Sequence, residues 1–101
     1  MTVTIADVPA QNRFEARSAD GELAGFAEYI RSAALVVYPH TIVERAYEGQ
    51  GIGAALARTA LDDARRRGLP VLATCPFIKA WMIRHPEYAD LAYENRSQVT
   101  D

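Results

Sequence analysis

The chain has 101 residues, half of them apolar and 24% charged, with a formal net charge of −2. That is one domain of ordinary size and soluble composition, which excludes a disordered or fibrous chain. A single cysteine, Cys75, excludes an internal disulfide and a four-cysteine zinc site. The two histidines, at 40 and 85, have no recognised metal-ligand spacing with Cys75, so no metal is expected. The longest uncharged apolar run, Ala33 to Tyr38, is far below the roughly 20 residues a membrane span needs. Met1 to Thr4 carries neither a basic region nor an apolar stretch of signal-peptide length, so a cytoplasmic protein is expected, without membrane partners. The slightly acidic balance disfavours nucleic acid as a partner.

The first half reads as strands. Thr2 to Asp7 alternates weakly and ends at Val8-Pro9, and Arg13 to Arg17 alternates polar and apolar as a half-exposed strand should. Ala19-Asp20-Gly21-Glu22 is a turn. Leu23 to Arg31 reads as a third strand and Ala34 to Tyr38 runs back as a fourth, giving an antiparallel meander. Pro39 interrupts the ladder or marks a bulge, because it has no N–H to donate. His40 to Arg45 resumes as an extended segment.

The second half changes period. From Gly49-Gln50-Gly51-Ile52-Gly53 to Arg67 the spacing is helical. Gly53, Leu56, Ala57, Ala60, Leu61 and Ala64 share one arc, a narrow face of small residues suited to lying close on a sheet. Arg58/Asp62, Asp62/Arg66 and Asp63/Arg67 are spaced for i,i+4 ion pairs, each worth about a few tenths of a kcal/mol. The Arg65-Arg66-Arg67 run reads as a solvated helix face. Gly68 is placed as the C-terminal cap, with Pro70 beyond it. Val71 to Thr74 is a short strand, and Ile78 to His85 a second helix, stopped by Pro86. A last helical turn covers Glu87 to Glu94, within a single domain spanning 1–95, and 96–101 reads as a disordered tail. The strand before the glycine loop and the strand after the long helix should be parallel, as one right-handed βαβ crossover.

A glycine loop between a strand and a helix lets backbone N–H groups converge at the positive end of the helix dipole, an anion site suited to phosphate or pyrophosphate. The other reading is a turn that only permits tight helix–sheet packing. No Gly-Lys-Ser/Thr follows, so it is no P-loop. Its GxGxG spacing and the preceding meander also differ from a dinucleotide-binding fingerprint.

The run His40-Thr41-Ile42-Val43-Glu44-Arg45-Ala46-Tyr47-Glu48-Gly49-Gln50-Gly51-Ile52-Gly53 resembles the acetyl-CoA-binding motif of GNAT-type N-acetyltransferases. The likeness sharpens towards the small Yjdj-type, minimal members. It rests on His40-Thr41, Leu61-Asp62-Asp63-Ala64-Arg65 and Cys75-Pro76-Phe77, and covers roughly Arg13 to Leu91. It implies an α+β, GNAT-like fold: an antiparallel meander followed by a β-α-β-α unit, without the N-terminal helices that cover the acceptor in larger members. It implies acetyl-CoA or CoA as the bound thioester. The loop Glu48, Gly49, Gln50, Gly51, Ile52 and Gly53 would hold its pyrophosphate, and the backbone of Ile42, Val43 and Glu44, with Thr41, its pantetheine arm. Glu48 departs from the family, which carries a cation or an amide there. A carboxylate beside a pyrophosphate is repelled unless its side chain turns to solvent.

The activity the resemblance implies is acetyl transfer to a primary amine, on a protein or a metabolite; an exposed second or third strand could pair edge to edge, but a monomer is the simpler expectation. Such transfer requires a polarised thioester, an amine that loses a proton and a stabilised leaving thiolate. Cys75, at the end of a strand, is either a nucleophile or proton donor, or a small buried hydrophobe. His40 is either the base, since imidazole exchanges protons near neutrality, or a strand residue bonded to nearby backbone. His85 reads as a helix cap, Glu44 as a solvated carboxylate or else a base acting through water, and Phe77, Trp81 and Tyr88 as aromatics covering the core. The alternative is a CoA-binding regulatory or interaction module without catalysis.

Overall fold

A computed structural model describes residues 3–93. Three strands, β1 (Val3–Val8), β2 (Arg13–Ser18) and β3 (Leu23–Glu28), form the expected antiparallel meander. After it come β4 (Ile30–Arg31), β5 (Val36–Tyr38) and β6 (Thr41–Val43), then helix α1 (Ile52–Arg67), strand β7 (Val71–Ala73) and helix α2 (Pro76–Arg84). A 3-10 segment, Pro86–Leu91, stands where the last helical turn was expected, and the tail lies outside the described residues. No helix among the described residues is long and apolar enough to cross a membrane.

The strands form two sheets, β1-β2-β3-β6 and β4-β5-β7. Among the described residues, only two chain segments run through both. Leu23 to Arg31 passes from β3 into β4, and Val36 to Val43 passes from β5 into β6, pairing antiparallel throughout. Ile30 faces Val37 and Ala27 faces Thr41, so three steps along one segment answer four along the other. The extra residue is Pro39, a β-bulge, as its missing N–H foretells. The bulge also changes which residues point inward. Val36 and Tyr38 are buried on one side of it, whereas Thr41 and Val43 are the less exposed residues on the other, with Ile42 and Glu44 in solvent.

One expectation needs correcting. The parallel partner of β7 is β5, not the segment directly before the glycine loop: Val36 pairs with Val71 and Tyr38 with Ala73. The bulge turns β6 away towards β3, so the crossover closes on the half of the strand before Pro39.

Helix α1 lies on the four-stranded sheet through its small-residue arc, with Leu56, Ala57, Ala60, Leu61 and Ala64 all buried. Gly25 of β3 permits the approach: a Cβ there would stand 3.4 Å from Leu56 Cδ1 and 2.7 Å from the Ile42 carbonyl oxygen. Tyr38 anchors the other sheet, its hydroxyl donating to the Ala60 carbonyl at 2.6 Å, and burial pushes that phenol's pKa up. Gly68 caps the helix as expected, its N–H donating to the Arg65 carbonyl at 3.1 Å.

The helix charges pair differently from the i,i+4 reading. Only Asp63/Arg67 forms among the three expected pairs, at 2.7 Å. Asp62 accepts instead from the Tyr88 hydroxyl at 2.8 Å, and Arg66 turns to Asp63. Asp63 is itself buried and also receives Arg31 of β4 at 3.2 Å. Arg31 in turn reaches Asp7 of β1, whose carboxylate accepts from Tyr29 at 2.6 Å. A carboxylate buried this way persists because three guanidinium groups surround it.

Candidate functional site

The two sheets part at one point. The Cys75 N–H donates to the Tyr38 carbonyl at 2.9 Å, the last bond between the β5 and β7 lines. Beyond it the chain after Tyr38 bends to β3, and the chain after Cys75 enters α2. A wedge opens between them, with β6 on one side.

The β6 backbone is paired on one edge only. Glu28 N–H donates to the His40 carbonyl, and Glu44 N–H to the Ala24 carbonyl, each at 2.8 Å. In an antiparallel ladder alternate residues turn both polar groups to the same neighbour, so His40, Ile42 and Glu44 are engaged by β3. The N–H and C=O of Thr41 and Val43 point to the wedge, where no strand of the described residues pairs with them. Of the three residues expected to offer backbone there, the structure brings Val43 to the open edge, joined by Thr41. Ile42 and Glu44 face β3 instead.

The glycine loop stands at the mouth of the wedge. Gly49 and Gly51 have φ of 81° and 79°, left-handed conformations that suit glycine, and space beside both is open. Gly51 is the N-cap of α1 and supplies no side chain, and the first turn holds no acid. The N–H groups of Ile52, Gly53 and Ala54 therefore lack intrahelical partners at the positive end of a 16-residue helix. Ile52 is buried and anchors this turn, while Gln50 is exposed. Glu48 is exposed as well and makes no capping bond to the helix, so its carboxylate does not occupy the N-terminus.

Gly53 lets the helix end come close to its surroundings. A Cβ there would stand 3.1 Å from Phe77 Cζ and 3.6 Å from Val43 Cγ2. Phe77 is thus a wall between α1 and α2 rather than a core aromatic, and remains 37% exposed. Trp81 and Tyr88 are buried as expected, and His85 closes α2 with its Nδ1 2.9 Å from the Trp81 carbonyl oxygen.

Cys75 sits at the apex of the wedge as the N-cap of α2, 4% exposed, with Sγ 3.5 Å from the Thr41 hydroxyl. His40 is on the other side of the strand. Side chains alternate along β6, so His40, Ile42 and Glu44 project from the face turned away from α1, opposite Thr41 and Val43. The structure brings Thr41, Val43, Cys75 and the glycine loop together and leaves His40 across the sheet from them. The neighbour of His40 on its own face is Glu28, its cross-strand partner, which the sequence did not single out. The strand alternation of Leu23 to Arg31 puts Glu28 outward, but only the bulge register sets it beside His40.

The split strand, the open helix end and the parallel β5–β7 pair are the frame of an acetyltransferase fold. Residues 13–91 match the family described as GCN5-related N-acetyl-transferase, and the chain belongs to that family. Among solved structures, a GCN5-like protein from Staphylococcus aureus superposes with a TM-score of 0.66 at 22% identity, over 94% of each chain. A ribosomal-protein-alanine N-acetyltransferase from Brucella melitensis biovar Abortus gives 0.56 at 22% identity, over 82% of this chain and 61% of that one. AAC(6')-Iy, in complex with the bisubstrate analogue CoA-S-monomethyl-acetylneamine, gives 0.50 at 18% identity, over 88% and 65%. At these identities the likeness is one of fold. No curated protein matches the chain in sequence.

Proposed function

We propose that this chain transfers an acetyl group from acetyl-CoA to a primary amine. One observation carries the reading: a single wedge holds both an uncapped, glycine-bounded helix end and an unpaired strand edge. The first suits a pyrophosphate, which the N–H groups of Ile52, Gly53 and Ala54 would receive. The second suits the amides of a pantetheine arm, which would add to Thr41 and Val43 much as a strand would. Phe77 and Gly53 would flank the arm, and the thioester would lie towards Thr41 and Cys75. The neighbour bound to a CoA bisubstrate analogue supports the same choice of ligand.

Two routes for the acetyl group are chemically distinct. In one the amine attacks the thioester directly. In the other the Cys75 sulfur first takes the acetyl group as the CoA carbon–sulfur bond breaks, then yields it to the amine. Calorimetric titration with acetyl-CoA, with pyrophosphate as control, tests the binding. Saturable binding well above the pyrophosphate control is expected, and none at millimolar ligand overturns the reading. Cys75→Ala separates the routes: lost transfer with binding intact assigns the acyl-cysteine, and retained turnover assigns direct attack.

A second reading, a CoA-binding module without catalysis, draws on Glu48, a carboxylate next to a loop meant for phosphates. Acetyl-CoA consumption with an amine, above spontaneous hydrolysis, rules it out.

A further inference from the structure

We infer that Tyr47 and Glu22 are positioning residues for the acetyl-CoA loop: their hydrogen bond turns the next residue, Glu48, to solvent and so keeps its carboxylate off the phosphate-binding end of α1. This deepens the acetyl-transfer reading and rests on it.

The end of α1 attracts anions in general, not a pyrophosphate alone. The N–H groups of Ile52, Gly53 and Ala54 are free because neither the N-cap nor the first turn supplies an acceptor side chain. Gly49, Gln50 and Gly51, a tight turn with two left-handed glycines, are all that separates Glu48 from Ile52. A carboxylate swung inward across so short a turn would accept from the N–H groups that a pyrophosphate needs, and the helix dipole favours that move. Glu48 is nevertheless exposed and makes no capping bond.

The restraint lies in the residue before it. Tyr47 closes a single 3-10 turn, Arg45–Tyr47, with its N–H donating to the Glu44 carbonyl at 2.8 Å. Its ring is buried in the core, and its hydroxyl donates to the Glu22 carboxylate in the turn between β2 and β3. The bond to Glu22 also pushes the phenol's pKa up, which keeps the hydroxyl a donor. The anchor is itself well held. The Glu22 N–H donates to Ser18 Oγ at 3.2 Å, the Ser18 N–H to the Glu22 carbonyl at 2.9 Å, and the Arg17 guanidinium to the Gly21 carbonyl at 2.9 Å.

Backbone geometry passes the restraint on. Glu48 is extended, with φ of −64° and ψ of 148°, so its side chain leaves the backbone on a different side from that of Tyr47. With Tyr47 pinned inward, Glu48 faces outward. A rotation that brought Glu48 to the helix end would draw the phenol off Glu22 and its ring out of the core. Held in solvent, the Glu48 carboxylate no longer competes for the N–H groups, and its repulsion of a pyrophosphate is screened. The pair is thus expected to act on cofactor affinity and not on the transfer step.

The test is a double-mutant cycle on acetyl-CoA affinity, read by calorimetry in wild type, Tyr47→Phe, Glu48→Ala and the double variant. Tyr47→Phe keeps the buried ring and removes only the bond. It is expected to weaken binding about five-fold, with the loss appearing in KM for acetyl-CoA rather than in kcat. Glu48→Ala is expected to recover most of that loss in the Tyr47→Phe background and to gain less in wild type. A loop that had merely loosened would not be repaired by deleting a carboxylate. Unchanged affinity in Tyr47→Phe, or equal effects of Glu48→Ala in both backgrounds, overturns the inference. Should Tyr47→Phe fail to fold, Glu22→Ala, on an exposed turn, removes the same bond from its other end and enters the same cycle. Amide shifts of Ile52, Gly53 and Ala54 without any ligand give a readout independent of the cofactor. They should move in Tyr47→Phe and return in the double variant. If wild type binds no acetyl-CoA, the acetyl-transfer reading falls and these shifts decide the latch by themselves: reversal supports it, and no movement overturns it.

Discussion

The two halves of one strand, three residues each on either side of Pro39, have opposite fates. Val36–Tyr38 has neighbours on both edges, β4 and β7, and buries Val36 and Tyr38. Thr41–Val43 has β3 on one edge and no strand of the described residues on the other, and leaves Ile42 43% exposed. Both halves are short and rich in β-branched or aromatic residues, so local propensity does not distinguish them. The difference is made by a single extra residue. A binding edge arises here by withdrawing one neighbour from a strand, while the buried half keeps it in place.

Substitutions should register that contrast most strongly in stability. Tyr38→Ala removes a fully buried ring and its hydroxyl bond to α1, and is expected to destabilise by about 3–5 kcal/mol. That is a large part of the roughly 5–15 kcal/mol that holds a domain together. Ile42→Ala, in the open half, is expected to stay within about 1 kcal/mol. Urea denaturation of both variants measures this, and equal losses would break the comparison.

Gly51→Ala should be next. Space beside Gly51 is open, so any loss comes from its φ of 79°, about 1–2 kcal/mol for a residue with a Cβ. The same change should weaken acetyl-CoA binding, because strain there moves the first turn of α1. An unaltered Tm and unaltered affinity would show that the loop tolerates other conformations.

The outward face has an acid-sensitive element of its own. Hydrogen bonds from Arg13 and Arg17 hold the Glu15 carboxyl below its ordinary value of about 4.5. A lowered folded value means the contribution is fully present above that ordinary value and is lost as pH falls through the lowered one. Glu15→Gln should therefore flatten the acid limb of a Tm-versus-pH curve and leave its shape near neutrality unchanged. A wild-type limb that is already flat below pH 4 would remove the pair from the account.

The finest contrast is between single amides. Ile42 and Glu44 N–H groups face β3 and should exchange slowly with deuterium, whereas Thr41 and Val43 should exchange fast. Saturating acetyl-CoA should slow Thr41 and Val43 selectively. Uniform exchange across the four would mean that the open edge is paired in solution.

Much of this was legible in local sequence. The glycines at 49, 51 and 53, the small-residue arc of α1, the Gly68 cap and the role of Pro39 all depend on neighbours within a few positions. What was hidden depends on register or on partners far along the chain. Asp63 falls on the buried arc of α1 beside the local Arg66 and Arg67, yet the third guanidinium around it comes from Arg31, 32 residues away. Glu28 meets His40 because the bulge advances the pairing by one. Phe77 looked like core because an aromatic in an apolar helix usually is, but the missing Cβ of Gly53 makes room for it at the wedge.

The bulge can also be regarded as a reading frame. Pleating repeats every two residues, so pairing Pro39 in register instead of bulging it out would turn the rest of the strand inside out. Ile42 would then point at α1, and Thr41 and Val43 would pass to the far face, with every amino acid of the wedge still present. Deleting Pro39 would instead leave Thr41 and Val43 on their present face and straighten the strand, so what the position contributes is the bend that parts β6 from β7.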